Sequence, residues 1–244
     1  MTQGPIWITG ASSGIGRALA LRFARDGRQV IASARSTDAL ADLARENGNI
    51  DAWPLDVTDA AACEKAVAAI EAAHGPLALA VLNAGTHKAT PATDFRAADI
   101  RALVDINLMG TVNALAPLLA KHTKHIAVVA SVAGYSGLPT AAGYGATKAA
   151  LINMCEALKP ECDALGIKLQ LVDPGFVKTP LTDKNDFPMP FIMNVEDAVE
   201  ALVRGLSSDR FEIVFPRRFA LILKFLRLLP YRLYFPLVRK ATGK

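Results

Sequence analysis

The sequence predicts an α/β protein built on a doubly wound parallel sheet with helices on both faces. Short apolar runs alternate with longer segments of helical periodicity from residue 5 to residue 215, and this alternation is typical of βαβ units. A glycine-rich turn follows the first apolar run, as in folds that bind dinucleotides. The 244 residues, 52% of them hydrophobic and 20% charged, suffice for one domain with a large core.

Seven strands and the helices between them follow from these patterns. The predicted strands are PIWIT, QVIASA, IDAWPLD, LALAVLNAG, HIAVVAS, IKLQLVDPG and FEIVF, which are apolar, rich in β-branched residues and bounded by turns. Helices are predicted over residues 17–27, 36–48, 59–75, 97–122, 143–165 and 194–206. Residues 1–215 are therefore predicted to form one dinucleotide-binding domain, and residues 216–244 a helical extension.

The charge is unevenly distributed along the chain. The formal net charge is +4, yet residues 216–244 hold eight Lys and Arg and no acidic residue, which leaves 19 basic and 23 acidic residues elsewhere. A nucleic-acid partner is therefore not expected. The first ten residues lack a basic stretch followed by an apolar run, so no secretory signal is predicted. Three cysteines without a C-x-x-C spacing favour a reduced, cytoplasmic setting.

The first predicted strand ends in a glycine turn, TGASSGIG, that opens the first helix. Backbone amides at a helix start, with the positive end of the helix dipole, form an anion site. Glycines let the chain turn tightly and let a pyrophosphate approach the backbone. The predicted cofactor contacts in this turn are Gly10, Ser12, Ser13, Gly14, Ile15 and Gly16. The alternative is a tight strand-to-helix connection without a ligand, since any such turn can use glycine.

The end of the second strand bears on the choice of cofactor. Sites that prefer NAD place an acidic residue there, on the ribose 2′-hydroxyl, whereas this chain has Ser33-Ala34-Arg35-Ser36. Arg35 can pair with a 2′-phosphate through charge-assisted hydrogen bonds. We therefore expect NADP(H) to be favoured over NAD(H), the alternative being that Arg35 is a solvated surface residue.

Residues 131–148 combine a hydroxyl, a phenol and an amine. Tyr144 and Lys148 are four residues apart, which places both on one face of the predicted helix. A lysine ammonium beside a tyrosine favours the phenolate and lowers the phenol's pKa, so that Tyr144 can act as a general acid or base. Ser131, at the end of a strand, can hydrogen-bond the same substrate oxygen. A Y-x-x-x-K pair alone also occurs by chance, and the remaining motifs decide between these interpretations.

With these motifs in order, the sequence resembles the short-chain dehydrogenase/reductase family from residue 6 to about residue 214. The motifs are TGASSGIG, Asp56-Val57 after the third strand, Asn83-Ala84-Gly85 after the fourth, and Pro174-Gly175 with Thr179. The four catalytic positions of the family are matched by Asn107, Ser131, Tyr144 and Lys148. The resemblance implies a Rossmann-like fold. One departure is Ser13, where some NADP-preferring relatives carry Lys or Arg, so the cofactor preference depends on Arg35.

The resemblance also implies a role for each matched residue. Tyr144 is the general acid/base, and Lys148 lowers its pKa and binds the nicotinamide ribose. Ser131 orients the substrate oxygen, and Asn107 holds a water that links Lys148 to solvent. The implied cofactor contacts beyond the glycine turn and Arg35 are Asp56, Val57, Asn83, Ala84, Gly85, Tyr144, Lys148, Pro174, Gly175, Val177 and Thr179. No metal is required.

The implied activity is that of an NADPH-dependent carbonyl reductase or alcohol dehydrogenase, assembled as a homodimer or homotetramer. A non-catalytic nucleotide sensor or scaffold with the same fold is the alternative, although such relatives usually lose the tyrosine or the lysine. Epimerisation or dehydration by the same catalytic residues is a third hypothesis, which is less favoured because enzymes of that kind usually have a longer chain.

Two segments, residues 133–141 and 176–194, are expected to line the substrate pocket. The second contains the apolar residues Phe187, Met189, Phe191 and Met193, which indicates an apolar substrate. Packing of this loop onto the domain is the equally weighted alternative. His87 follows the Asn-Ala-Gly motif. Its alternatives are a position at the mouth of the active site and, favoured here, a loop position without a role.

The basic extension is the last feature of the sequence that indicates a function. On a helix over residues 217–229, Arg217, Lys224 and Arg227 fall on one side and apolar residues cover the rest. This composition is typical of a helix that lies on an anionic membrane surface, here through residues 217–240 and peripherally at the inner face of a membrane. The alternative is a packing arm that covers the substrate loop or joins two subunits.

Overall fold

The computed structural model describes residues 4–184 and 189–243. Within these ranges seven strands form one sheet: β1 (Ile6–Thr9), β2 (Val30–Ala34), β3 (Ile50–Pro54), β4 (Leu79–Leu82), β5 (His125–Val129), β6 (Lys168–Pro174) and β7 (Glu212–Phe215). Their order is β3-β2-β1-β4-β5-β6-β7, and every pair is parallel. The predicted doubly wound α/β fold is confirmed, strand for strand.

The helices cover both faces of the sheet. They are α1 (Gly14–Arg25), α2 (Thr37–Glu46), α3 (Ala60–His74), α4 (Ala97–Leu103), α5 (Gly110–Ala120), α6 (Ala142–Ala164), α7 (Val195–Leu206), α8 (Arg217–Arg227) and α9 (Tyr231–Thr242). Side-chain caps begin two of them, because Ser36 accepts a hydrogen bond from the Ala39 amide and Asp59 from the Ala62 amide.

The sheet is buried on both sides, which explains its apolar strands. Trp7 and Ile31 belong to the core on one face, together with residues of α3, α5 and α6. Ile6 and Ile8 belong to the core on the other face, with residues of α1, α2 and α7. Successive strand residues point to opposite faces, so both sets must be apolar when helices cover both sides.

The helix predicted over residues 97–122 is interrupted. A wider, π-helical segment, Val104–Met109, separates α4 from α5, and the helix ends at Ala120. Such segments are frequent at functional sites, and this one contains Asn107. By length and composition the stretch Ala97–Ala120 resembles a membrane span, but it is a core helix of this fold, with Leu103 and Leu118 buried.

The C-terminal helices pack on the sheet domain. Phe219, Ala220 and Leu223 of α8 are buried within the core. The Lys224 ammonium pairs with the Glu212 carboxylate of β7. The Tyr234 hydroxyl of α9 donates a hydrogen bond to the Gly137 carbonyl at 2.5 Å. The extension is helical, as predicted. Its inner face packs against the sheet domain.

A buried histidine joins two neighbouring strands. His125 of β5 lies 2.7 Å, through Nε2, from Oε1 of Gln170 on β6. The Gln170 amide nitrogen donates to backbone carbonyls, including that of Arg210 at 2.6 Å, so Oε1 accepts and His125 Nε2 carries the proton. Burial lowers the pKa of His125 to about 4.

This shift predicts that His125 makes stability depend on pH. The unfolded imidazole has a pKa near ~6.5, so between pH 6.5 and 4 the unfolded state binds more protons than the folded state. The contribution of His125 is therefore complete above pH 6.5 and is lost as pH falls. From pH 7.5 to 5 the free energy of unfolding should fall by about 2 kcal/mol because of this residue.

The measurement is urea unfolding of wild type and His125→Gln at both pH values. The variant keeps an amide that can donate to Gln170, but it has no group that titrates in this range. Its loss of stability from pH 7.5 to 5 should be smaller than that of wild type by about 2 kcal/mol. Equal losses in the two proteins would contradict the assignment.

Candidate active site

Several motifs singled out in the sequence lie at the carboxyl ends of strands, whereas Asn107, Tyr144 and Lys148 are on helical segments. The chain runs from β1 outward to β3 and then returns to β4 on the other side of β1. This reversal opens a crevice at the ends of β1 and β4, where doubly wound sheets bind ligands. The glycine turn leaves β1 at this point, and Asn83-Ala84-Gly85 follows β4.

Hydrogen bonds tie the glycine turn to the end of β4. The Thr9 hydroxyl oxygen accepts from the backbone N–H of Asn83 at 3.0 Å and of Ala84 at 3.1 Å. The Asn83 side-chain amide donates to the carbonyls of Thr9 at 3.1 Å and Gly10 at 3.2 Å. The floor of the crevice is therefore fixed by backbone groups and by one amide side chain.

The turn has no room for side chains at its glycines. A Cβ on Gly10, whose φ is +68°, would lie 2.7 Å from the Ala84 Cα, and one on Gly16 would lie 2.4 Å from the Gly10 carbonyl oxygen. Helix α1 begins after Ser13, whose side chain makes no capping hydrogen bond. The first amides of α1 thus remain for another acceptor, and this cradle of glycines and amides fits a dinucleotide pyrophosphate.

The loop after β6 folds over the glycine turn. Thr179 lies above Gly14, so that an added Cβ there would be 3.2 Å from the Thr179 Cγ2. Val177 forms a bridge with Met193 that closes the base of this loop. The predicted cofactor contacts that line one common cavity are Ile15, Asn83, Gly85, Tyr144, Lys148, Pro174, Gly175, Val177 and Thr179.

Arg35 and Asp56 lie just beyond the neighbouring strands β2 and β3. Arg35 is exposed. The Asp56 carboxylate accepts hydrogen bonds from the Thr58 amide at 3.0 Å and hydroxyl at 2.8 Å. These bonds, the amide's first, lower the pKa of Asp56, and the charge of Arg35 adds to the effect. The side chain of Asp56 is therefore an anion already engaged by its own loop.

Lys148 projects from α6 into the interior. It is 4% exposed, and its Nζ donates to the Val129 carbonyl at 2.9 Å and lies 5.7 Å from the Tyr144 ring centroid. Burial lowers the pKa of Lys148 to about 8, although the nearby Asp173 carboxylate opposes the shift. At neutral pH the amine is still mostly charged.

The structure differs from the sequence prediction on the acidity of Tyr144. Burial raises the pKa of Tyr144, a hydrogen bond with Ser131 lowers it, and the Asp173 charge raises it further. The predicted depression by Lys148 is absent from this arrangement, since the ammonium is held by the Val129 carbonyl and lies over the ring. The phenol therefore keeps its proton at neutral pH.

Ser131 and Asn107 are both buried beside this pair. The Ser131 hydroxyl donates to the Pro174 carbonyl at 3.2 Å, which joins the ends of β5 and β6. The Asn107 side chain accepts from the Thr86 amide at 2.7 Å and donates to the Thr86 carbonyl at 3.0 Å. A Cβ on Gly85 would lie 3.3 Å from Asn107 Oδ1 and 3.6 Å from Lys148 Nζ, so these two side chains meet at Gly85.

Sequence reasoning gave one residue of the site too little weight and missed another. The His87 ring lies edge-on to the Tyr144 ring, with centroids 4.9 Å apart, which agrees with the less favoured alternative that His87 borders the site. Its position two residues after the Asn-Ala-Gly motif was the available signal. Asp173 is fully buried, and burial, followed by the charge of Glu212, raises its pKa to about 7. It directly precedes the Pro174-Gly175 motif.

The cavity above these residues has a volume of about 380 Å³ and a largely apolar lining. Both predicted segments contribute to it, through Leu138 in the first and Phe176 and Phe191 in the second. Met193 instead pairs with Val177, and Phe187 lies outside the described residues. The third wall comes from the C-terminal helices, in line with the alternative of an arm that covers the substrate loop: Phe219, Ile222, Leu223, Leu226, Val238, Ala241 and Thr242.

Comparison with known proteins agrees with this geometry. A family model described as short chain dehydrogenase matches residues 5–188. An uncharacterized oxidoreductase of Myxococcus xanthus is 37% identical over 235 residues, covering 93% of either chain. A 3-oxoacyl-[acyl-carrier-protein] reductase of Thermotoga maritima is 34% identical over 185 residues, covering 72% of this chain and 75% of the relative. A short-chain dehydrogenase structure from Streptomyces avermitilis superposes with a TM-score of 0.83 at 25% identity, covering 99% and 97% of the two chains.

The fold and the family match together define an oxidoreductase built on a dinucleotide-binding fold. More specifically, the chain belongs to the short-chain dehydrogenase family.

The glycine cradle makes a prediction about stability. Gly16→Ala forces a methyl group against the Gly10 carbonyl oxygen and the Asn83 amide, and such overpacking costs roughly 1–3 kcal/mol of unfolding free energy. Gly48→Ala is the matched control, because an added Cβ there meets no described atom within 4 Å. Urea unfolding should show the loss in the first variant only, and equal stability of the two variants would contradict the close approach.

Proposed function

We propose that this protein is an NADPH-dependent reductase of an apolar ketone or aldehyde, the reaction being reversible to the alcohol. The observation that carries the proposal is that Ser131, Tyr144 and Lys148 line one apolar cavity, which is also lined by Ile15 of the glycine turn. The oxidoreductase family is established by the match over residues 5–188; the cofactor preference, the substrate class and the residue roles are the proposal.

The cofactor would be held by groups that already form a cradle. The glycine turn and the first amides of α1 would take the pyrophosphate, and Lys148 would take the nicotinamide ribose. Thr179 and the loop after Pro174 would cover the nicotinamide from above. When bound, the nicotinamide supplies or accepts the hydride.

The proton chemistry would belong to four side chains, those of Ser131, Tyr144, Lys148 and Asn107. The hydroxyls of Ser131 and Tyr144 donate hydrogen bonds to the carbonyl oxygen and stabilise the negative charge that develops there. Tyr144 then gives its proton to that oxygen. Lys148 donates to the Val129 carbonyl in this structure, and it would have to turn toward the phenol to stabilise the phenolate that remains. Asn107 would hold the water through which the proton is replaced.

The raised pKa of Tyr144, caused mainly by burial, suits the phenol to the proton-donating step of the reduction. A phenol that stays protonated at neutral pH is ready to donate to an alkoxide-like oxygen. Oxidation of an alcohol would need the phenolate instead, and burial makes this form costly. Higher pH should therefore favour the reverse reaction.

The cofactor preference is supported by the end of β2. Arg35 is exposed there and can reach a 2′-phosphate, while no carboxylate takes the place that NAD-preferring sites give to the ribose hydroxyl. The carboxylate of Asp56, which follows β3, is engaged with Thr58. An apolar substrate is supported by the cavity walls, in which Phe176, Phe219 and Leu223 meet.

Removal of the phenol tests the catalytic role. Tyr144→Phe keeps the ring contact with His87 but has no proton to give, so turnover of a panel of apolar ketones should fall by about 10²–10⁴-fold. NADPH affinity, measured by fluorescence titration, should stay within roughly twofold of the wild-type value, which corresponds to less than about 0.5 kcal/mol of binding free energy.

Tyr231→Phe is the control, because it removes a phenol that is exposed on α9. It should turn over at the wild-type rate. A Tyr144→Phe variant that also turns over like wild type would exclude the mechanism. No turnover of any substrate by wild type, with NADPH binding retained, would favour a nucleotide sensor with this fold.

Removal of the guanidinium tests the cofactor preference. Arg35→Ala should raise the KM for NADPH by roughly 10- to 100-fold, as expected for the loss of a charged hydrogen-bond pair, and should leave the KM for NADH nearly unchanged. Arg204→Ala, on the exposed side of α7, is the matched control. A wild-type enzyme that prefers NADH, or an Arg35→Ala variant with an unaltered preference, would refute the role of Arg35.

A further inference from the structure

The C-terminal helices have an outer face that differs from the rest of the surface. Twelve large apolar side chains are exposed in the part of the chain that the structure describes, and eight of them lie within residues 221–237. Isolated exposed apolar residues are ordinary, but such a concentration marks an interaction surface. The eight are Leu221, Ile222, Phe225, Leu228, Tyr231, Leu233, Phe235 and Leu237.

Helix α8 has an apolar inner face and an apolar outer face. Phe219, Ala220 and Leu223 point into the core. Leu221, Phe225 and Leu228 are spaced by four and three residues and so form a row on another face. They are 66%, 63% and 80% exposed. The outer row contributes nothing to the inner packing, so the stability of the fold does not account for it.

The charge of this segment identifies the partner. Residues 216–244 carry eight basic residues and no acidic one. Among them, Arg217, Arg218, Arg227, Arg232 and Arg239 are exposed. Two copies of this surface placed face to face would bring like charges together. An anionic lipid surface offers opposite charge for the arginines and an apolar layer for the leucines and phenylalanines.

We propose that the outer face of α8 and α9 docks on an anionic lipid bilayer. The two helices lie in the membrane interface, the exposed apolar row enters the acyl boundary, and the arginines remain at the headgroups. The body of the protein holds the helices in place through Phe219, Lys224 and Tyr234. Docking therefore needs no unfolding of the segment.

Docking would also position the cavity. Ile222 lines the cavity and is at the same time exposed on the outer face. Phe219, Leu223 and Leu226 of the same helix form a cavity wall. The cavity therefore lies directly behind the docked helix. This orientation does not depend on the proposed reaction, since it follows from the packing of α8 alone.

The test is flotation of the purified full-length protein with two kinds of vesicle. One is phosphatidylcholine alone, and the other contains phosphatidylglycerol as well. Wild type should partition into the anionic vesicles roughly tenfold or more strongly than into the neutral ones, because several exposed arginines each favour an anionic surface. Deletion of residues 217–244 is not a usable variant, because it removes Phe219 and Leu223 from the core.

Substitutions on the outer face keep the fold. Leu221→Ser, Phe225→Ser and Leu228→Ser together should reduce partitioning by roughly tenfold or more. Phe95→Ser with Leu165→Ser is the control; these side chains are 58% and 50% exposed and lie outside the C-terminal helices, and partitioning should not change. A further variant, with Arg218→Gln, Arg227→Gln and Arg232→Gln, should lose the preference for phosphatidylglycerol.

Each other outcome would overturn the proposal. Wild type that does not float with either vesicle would refute docking, as would a serine triple variant that partitions like wild type at an unchanged melting temperature. Light scattering gives a separate readout. If the serine triple variant shifts the protein from a larger assembly to a monomer without any effect on flotation, the surface is an interface between copies of this chain.

Discussion

The site depends on the close contact between two backbone segments at the centre of the sheet. Gly10 lies so near Ala84 that a Cβ would overlap the Ala84 Cα, and the Asn83 amide holds the Thr9 and Gly10 carbonyls together. Parallel strands do not by themselves bring their connecting loops this close. The glycines and Asn83 make this close approach possible. The first amides of α1 therefore face the crevice.

A second constraint is the burial of charge beneath the cavity. Lys148 and Asp173 are both nearly inaccessible to solvent, and the Asp173 Oδ1 has no hydrogen-bond partner among the described residues. Burial therefore shifts their pKa values in opposite directions, to about 8 and about 7. The Tyr135 hydroxyl lies between the Asp173 and Glu212 carboxylates, and Lys224 of α8 pairs with Glu212. The C-terminal helices thus complete a charge network that reaches the proposed proton donor.

The fold could be predicted from the sequence, and the site residues could be proposed from it, because local sequence patterns specify both. Properties that depend on tertiary packing could not be predicted. The π-helical segment around Asn107 has no local signal, and the raised pKa of Tyr144 depends on what surrounds the phenol rather than on the spacing to Lys148. Phe187 stays an untested prediction, outside the described residues. In α8, periodicity predicted a helix but could not predict which face is buried. Phe219 and Phe225 lie on different sides of the helix, and the two residues are equally apolar.

The same helix therefore connects the proposed substrate class with the proposed lipid surface. A cavity with aromatic and aliphatic walls selects solutes that dissolve poorly in water, and such solutes concentrate in bilayers because transfer of apolar surface out of water is favourable. If α8 lies on a membrane, its inner side faces the proposed proton donor and its outer side faces the phase in which those solutes collect. An apolar carbonyl compound would then reach Tyr144 past Ile222 without crossing water, and the basic residues would keep the cavity oriented toward the lipid.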